Sequence, residues 1–149
     1  ELTEDFIAPP GFGLTEGTFV AADGAPLPGV AKHSINVAAD YTIEMTSDLN
    51  FISRVDGFYQ SSTQNVLDQG VLNSDEFGGF SIWDVTLTVA AESWNASFFM
   101  KNVFDERGVT GAFTPDAFGP NPAADFFGSN SREFIALPRT FGLAFNYGF

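Results

Sequence analysis

Residues 33–45 read HSINVAADYTIEM, and apolar and polar side chains alternate along this stretch with a period of two. Val37 and Tyr41 fall on one side of an extended chain, and Asn36 and Asp40 fall on the other. Because successive side chains of a β-strand point to opposite sides of the sheet, the alternation predicts a strand with one apolar face. Four further stretches alternate in the same way, namely 49–60, 80–91, 94–104 and 139–149. The sequence therefore predicts an all-β fold.

The connections between these predicted strands are of two kinds. Tight turns at 46–48 and 92–93 join antiparallel neighbours. The stretches 1–32, 61–79 and 105–138 are long and rich in Gly, Pro, Asn and Asp. Connections beyond about 12–15 residues are uncommon in compact soluble domains, whereas outer-membrane barrels combine short periplasmic turns with long extracellular loops. The pattern predicts an antiparallel transmembrane β-barrel segment with long extracellular loops, whose last strand runs toward the periplasm.

The charge balance limits the partners and the chemistry. The chain has 19 Asp and Glu against 6 Lys and Arg, a net charge of −13, which argues against nucleic acid as a partner. It has no cysteine and a single histidine, His33, which excludes cysteine-ligated and multi-histidine metal sites. We find no nucleophile triad, phosphate-binding loop or close carboxylate pair. We therefore expect no enzymatic activity, no metal and no cofactor.

The polar faces of the strands carry the charges that are not in the loops. Because a lipid-facing charge costs several kcal/mol near the bilayer midplane, a barrel would turn these faces toward its lumen. The predicted lumen-facing polar residues are Asn36, Asp40, Arg54, Asp56, Asp84 and Lys101. We expect Arg54 or Lys101 to pair with acids on neighbouring strands. A secreted soluble β-sandwich that serves as a binding module would also keep charges off its inner face, so it stays an alternative.

Aromatic residues near the predicted strand ends are typical of the girdles at a membrane interface, and Tyr59, Trp94 and Phe104 fit this role. Segments 17–22 and 134–137 could lengthen strands or add short hairpins. Five strands cannot close a barrel, since single-chain bacterial barrels need about eight or more. We therefore expect the chain to be part of a larger barrel, or a small or oligomeric outer-membrane barrel or pore protein.

Three sequence motifs resemble TonB-dependent outer-membrane receptors. PRTFGLAFNYGF at 138–149 resembles the closing strand of that family, where an aromatic residue is the last in the chain. FFMKNVFDE at 98–106 resembles the penultimate strand, and LPGVAKHS at 27–34 is similar to the stretch that leads into a strand some four strands earlier. The three motifs occur in the family's order and spacing, and together they span residues 27–149.

The resemblance implies that residues 1–149 are the C-terminal part of a 22-stranded receptor barrel, with about five strands present and the plug domain and TonB box absent. It implies a bacterial outer-membrane location and import of a scarce solute such as siderophore-bound iron, cobalamin or a carbohydrate. The implied partners are outer-membrane lipid, the rest of the receptor, the TonB complex acting through the plug, and the barrel-assembly machinery. Phe145, Tyr147 and Phe149 resemble the signal that this machinery recognises.

Overall fold

The computed structural model describes residues 1–10, 15–67, 76–113 and 132–148, and every regular element within these ranges is a β-strand. In chain order the strands are β1 (Phe6–Ile7), β2 (Phe19–Ala21), β3 (Ser34–Thr46), β4 (Leu49–Gln60), β5 (Thr63–Gln64), β6 (Glu76–Phe77), β7 (Phe80–Ala91), β8 (Trp94–Lys101), β9 (Val109–Phe113), β10 (Arg132–Ile135) and β11 (Thr140–Tyr147). All paired strands are antiparallel. The predicted all-β, antiparallel class is confirmed for this part of the chain.

Five long strands form one sheet in the spatial order β11-β8-β7-β4-β3. β3 and β11 each have one hydrogen-bonded neighbour, so the sheet formed by the described residues is open at both edges and is not a closed barrel. The bounds of β4 and β7 coincide with the alternating stretches 49–60 and 80–91. The two tight turns join β3 to β4 and β7 to β8, a long connection joins β4 to β7, and β11 lies beside β8.

Two strands are shorter than the alternation suggests. β8 ends at Lys101, whereas the prediction extends to Phe104. The cause is Asn102, which has a φ of 50° in the left-handed region, so the extended backbone cannot continue. β11 covers Thr140–Tyr147, whereas the prediction covers 139–149. Phe104 consequently lies in a turn beyond the strand, with 71% of its surface exposed.

The register of the sheet gives it one apolar and one polar face, because directly opposed residues of neighbouring strands lie on the same side. The apolar face has Val55 opposite Ala39 on one side and Val85 on the other. The same face carries Ile35, Val37, Tyr41, Ile43, Phe51, Tyr59, Trp83, Leu87, Val89, Ala96, Phe98, Met100, Phe141, Leu143, Phe145 and Tyr147. The opposite, polar face has Arg54 between Asp40 and Thr86.

Burial is greatest at the long connections and at the strand ends beside them. Both faces of β3 are exposed along its whole length, and Leu143 of β11 is 83% exposed. The buried residues other than glycine within the described ranges are Ala8, Ala21, Thr63, Gln64, Phe80 and Asn102. The central strands β4, β7 and β8 are mostly half-buried, by their neighbours in the sheet. Within the described residues, neither face of the sheet is fully buried.

Two aromatic rings lie over glycines on adjacent strands. Trp83 is the direct partner of Gly57 on the apolar face, and a Cβ at Gly57 would lie 2.7 Å from Cζ3 of the indole. Phe99 is the direct partner of Gly142 on the polar face, and a Cβ there would lie 2.6 Å from its Cζ. Only glycine leaves room for these rings, which explains why glycine is tolerated inside both strands.

The chain divides into two compact units. One consists of His33–Gln60, Phe80–Gly108 and Ala136–Phe149 and contains the five-stranded sheet. The other consists of Glu1–Lys32, Ser61–Gly79 and Val109–Ile135, and it contains the two-stranded sheets β1-β2, β5-β6 and β9-β10. The three long connections therefore pack into a unit of their own. None of the described residues forms a helix long and apolar enough to span a membrane.

Candidate functional site

A cluster of charged side chains lies in the middle of the polar face, and we name Asp40, Arg54, Asp56 and Asp84 the polar-face cluster. Arg54 donates from Nε and Nη2 to the two carboxylate oxygens of Asp56, at 2.8 and 2.6 Å. Its Nη1 lies 3.2 Å from both carboxylate oxygens of Asp40 on the neighbouring strand. One guanidinium thus holds two carboxylates, the first of them in the bidentate geometry that arginine favours.

Asp84 completes the cluster from β7, directly opposite Asp56. Like charges directly opposite on neighbouring strands repel, so each carboxylate needs a donor of its own. Asp56 is held by Arg54, and Asp84 accepts the backbone N–H of Asn102 at 2.9 Å. An open cavity of about 260 Å³ borders the two carboxylates, and Asn36, Ala38 and Phe58 help to line it. The cluster brings three carboxylates and one guanidinium together, so this part of the polar face is net negative, and it places Asp56 and Asp84 closer together than the sequence predicts.

Asn102 forms a second site at the end of β8, which we name the Asn102 clamp. Asn102 is 3% exposed as a residue. Its Nδ2 donates to the carbonyls of Glu106 (2.9 Å) and Leu137 (2.8 Å), and its Oδ1 accepts the Glu106 N–H (2.8 Å). Asp105 adds a contact by accepting the Arg139 N–H at 2.9 Å. The clamp therefore joins the start and the end of the connection between β8 and β11, which are far apart in sequence.

The predicted lumen-facing residues all lie on the polar face. Asp40, Arg54, Asp56 and Asp84 are brought together in the polar-face cluster, and Asn36 borders the same cavity. Lys101 lies exposed at the end of β8 and forms no ion pair with the described residues. Of the two cations expected to pair with acids, Arg54 does so.

Two of the three residues predicted for the aromatic girdle lie on the apolar face of the sheet, and the third lies in a turn. Tyr59 and Trp94 lie on the apolar face at opposite ends of the sheet, and Trp94 stacks on Phe145 with 6.2 Å between ring centroids. The expectation that Phe104 belongs to a strand is wrong, because β8 ends at Lys101 and Phe104 lies in the following turn.

The residues of the predicted assembly signal lie along the last strand. Phe145 and Tyr147 are on the apolar face of β11 and are 67% and 58% exposed. Phe149 lies outside the described residues. The structure therefore places the first two of these residues at the open edge of the sheet.

The roles of Asn102, Asp105 and Gln64 are not predicted from the sequence. Asn102 and Asp105 belong to the FFMKNVFDE motif, and asparagine before a turn is a signal for left-handed backbone. Gln64 is buried and bonded to Pro26, a residue 38 positions earlier, and no local pattern signals this contact. In the described residues, no group of three or more His, Cys, Asp or Glu side chains could hold a metal ion.

Comparisons of this chain with protein-family models, with curated proteins and with solved structures found no match.

Proposed function

We propose that this chain is part of the transmembrane β-barrel of an outer-membrane receptor of the TonB-dependent class, which imports a scarce solute. The observation that carries the proposal is the uncovered apolar face that runs across all five strands of the sheet. Phe141 and Leu143 of β11 are 70% and 83% exposed, and Ile35 and Tyr41 of β3 are 54% and 67% exposed. Soluble monomers rarely leave so extended an apolar surface in water, whereas lipid would cover it.

The lengths of the strands fit this role. β3, β4 and β7 have 13, 12 and 12 residues. A tilted strand needs about 9–11 residues to cross the hydrocarbon core, so each of these strands is long enough. The polar-face cluster would then line the lumen, where carboxylates and a guanidinium stay hydrated. No charged side chain of the described sheet lies on the apolar face, which agrees with a lipid-facing surface.

The receptor class is supported by the positions of the motifs. FFMKNVFDE and PRTFGLAFNYGF meet at one end of the sheet, since Asp105 bonds to Arg139, and Asn102 bonds to Leu137, the residue directly before the second motif. Phe99 of the first motif also lies over Gly142 of the second. The two motifs therefore lie on neighbouring strands and contact each other.

In this proposal the open edges at β3 and β11 pair with the remaining strands of the receptor. Outer-membrane lipid covers the apolar face, the barrel-assembly machinery inserts the chain, and the TonB complex acts through the plug of the complete receptor. A second candidate is an oligomeric outer-membrane barrel or pore, because the same two open edges could pair between copies of this chain.

Site-directed spin labelling tests the membrane role directly, and the absence of cysteine makes single labels unambiguous. Leu143→Cys and the adjacent Ala144→Cys place a label on opposite faces of β11. In phospholipid vesicles we expect the label at 143 to collide mainly with oxygen, which partitions into lipid, and the label at 144 to collide with a water-soluble nickel chelate. Equal accessibility at both positions, or a monomer that is fully soluble without lipid or detergent, would refute the membrane role.

The receptor class is tested at the gene. We expect the reading frame upstream of the Glu1 codon to encode a plug domain and further alternating strands. A start codon and signal peptide immediately before Glu1 would instead favour the oligomeric barrel, and import through a plug would have to be abandoned.

A further inference from the structure

The first long connection contains a tight turn at residues 27–30. Two backbone groups at this turn, the Gly29 N–H and the Pro26 carbonyl, form hydrogen bonds with Gln64 of the second connection. Leu27-Pro28-Gly29-Val30 closes with a hydrogen bond from the Val30 N–H to the Leu27 carbonyl at 3.2 Å. Proline at the second position and glycine at the third, with a φ of 70°, are the signature of a type II turn. This turn uses neither the N–H of Gly29 nor the carbonyl of Pro26.

Gln64 of β5 binds both of these groups. Its backbone carbonyl accepts the Gly29 N–H at 2.8 Å, and its side-chain Nε2 donates to the Pro26 carbonyl at 2.8 Å. The Gln64 residue is 7% exposed, although most residues of the first connection around the turn are exposed. Because a buried amide left without partners costs free energy, the turn and Gln64 stabilise each other.

Gln64 also pairs with Glu76 across the small sheet β5-β6, and β6 contacts β9 of the third connection. The contact of β6 with β9 connects the second connection to the third, and the contacts of Gln64 with the turn connect the first to the second. We propose that Gln64 is a positioning residue that joins the first and second connections into one body; we name its contacts with Pro26 and Gly29 the Gln64 latch. The Gln64 latch follows from contacts within one unit of the chain. Its consequence is that the connections present a single fixed surface to the solute, and this consequence rests on the proposed function.

The latch is tested by the distance between nitroxide labels at Val30→Cys and Glu76→Cys, measured by pulsed electron paramagnetic resonance on the full chain in detergent micelles. Val30 is 53% exposed and Glu76 is exposed, so both accept a label. We expect a narrow distance distribution in the parent and at least a twofold broader one in Gln64→Ala.

Gln64→Glu distinguishes the hydrogen bond from simple packing. At about pH 7 the carboxylate of Gln64→Glu has no proton to donate to Pro26, so the distance distribution should broaden. About pH 3 is below the ordinary glutamate pKa of about 4.3, so the protonated carboxyl can donate again and the distance distribution should narrow. Gln60→Glu is the matched control, because the Gln60 side chain makes no hydrogen bond within the described residues. We expect that variant and the parent to stay narrow at both pH values.

A second variant protects the test against loss of folding. Gly29→Ala opposes the positive φ of the turn and should broaden the same distribution while leaving the Gln64 side chain intact. An unchanged width in both Gln64→Ala and Gly29→Ala, or identical behaviour of Gln64→Glu and Gln60→Glu, would overturn the proposal. The result at positions 143 and 144 in vesicles is independent of this measurement, so failure of the latch and failure of the membrane role are distinguishable.

Discussion

Replacement of Asn102 by alanine should destabilise the chain more than replacement of any exposed polar residue of the sheet. The residue is 3% exposed, and its side chain takes part in three hydrogen bonds, with Nδ2 as donor in two and Oδ1 as acceptor in one. At a net contribution of about 1 kcal/mol each, their loss costs about 3 kcal/mol. Alanine at a φ of 50° adds about 1 kcal/mol of backbone strain. We expect a total decrease of about 4 kcal/mol in the free energy of unfolding, from these two terms.

The assay is urea unfolding of the full chain in detergent micelles, followed by the fluorescence of Trp83 and Trp94, the two tryptophans of the sequence. Asn102→Gly removes the same side chain without the strain, so it should be about 1 kcal/mol more stable than Asn102→Ala. Asn146→Ala is the matched control, because it removes one exposed hydrogen bond to Asn95 and should cost less than about 1 kcal/mol. Equal stability of the parent and Asn102→Ala would refute the reasoning, since it would mean that the clamp contributes nothing.

Three further predictions concern the sheet and the chain end. Gly142→Ala should lower the urea midpoint, because its Cβ would lie 2.6 Å from Cζ of Phe99, and Phe99→Ala in the same chain should restore part of the loss. Asp40→Asn should change the midpoint only slightly, and the change should shrink in high salt, because its ion pair with Arg54 is exposed and screened; an effect as large as that of Asn102→Ala would contradict this. Deletion of Phe149 should impair assembly in cells much more than refolding in detergent, as compared by membrane fractionation and by the fluorescence assay; equal loss in both would count against a recognition role.

The strands and their faces are predictable from the sequence because both depend on local alternation. In β3 and β4 the alternating pattern gives the bounds within a residue, and it places Asp40 and Arg54 on one face before any pairing is known. Asp56 lies two residues from Arg54 on the same strand, so alternation alone places the two on one face, whereas the choice of Asp40 depends on register, which the alternation leaves open. The structure supplies it through the direct opposition of Asp40 and Arg54.

The ends of the strands, the Asn102 clamp and the Gln64 latch depend on contacts between residues that are distant in the sequence. Asn102 ends β8 because its side chain is committed to Glu106 and to Leu137, the latter 35 positions away. Gln64 reaches Pro26 across 38 positions, from a stretch that is otherwise an ordinary polar connection. Such contacts are decided by how the connections pack together, and a periodicity in one segment contains no information about them.

The two aromatic rings that cover glycines have a consequence for how the strands find their partners. A sheet with no buried face has little to penalise a slip of one strand by two residues, because every side chain would stay on its own side. In β11, such a slip would bring Phe99 opposite Thr140 or Ala144, which have no hole for its ring. A slip of β4 against β7 would likewise move Trp83 from Gly57 to Val55 or Tyr59. Each ring fits opposite its glycine and not opposite the larger residues two positions away. The two pairs therefore favour one register among several that the apolar pattern alone would allow.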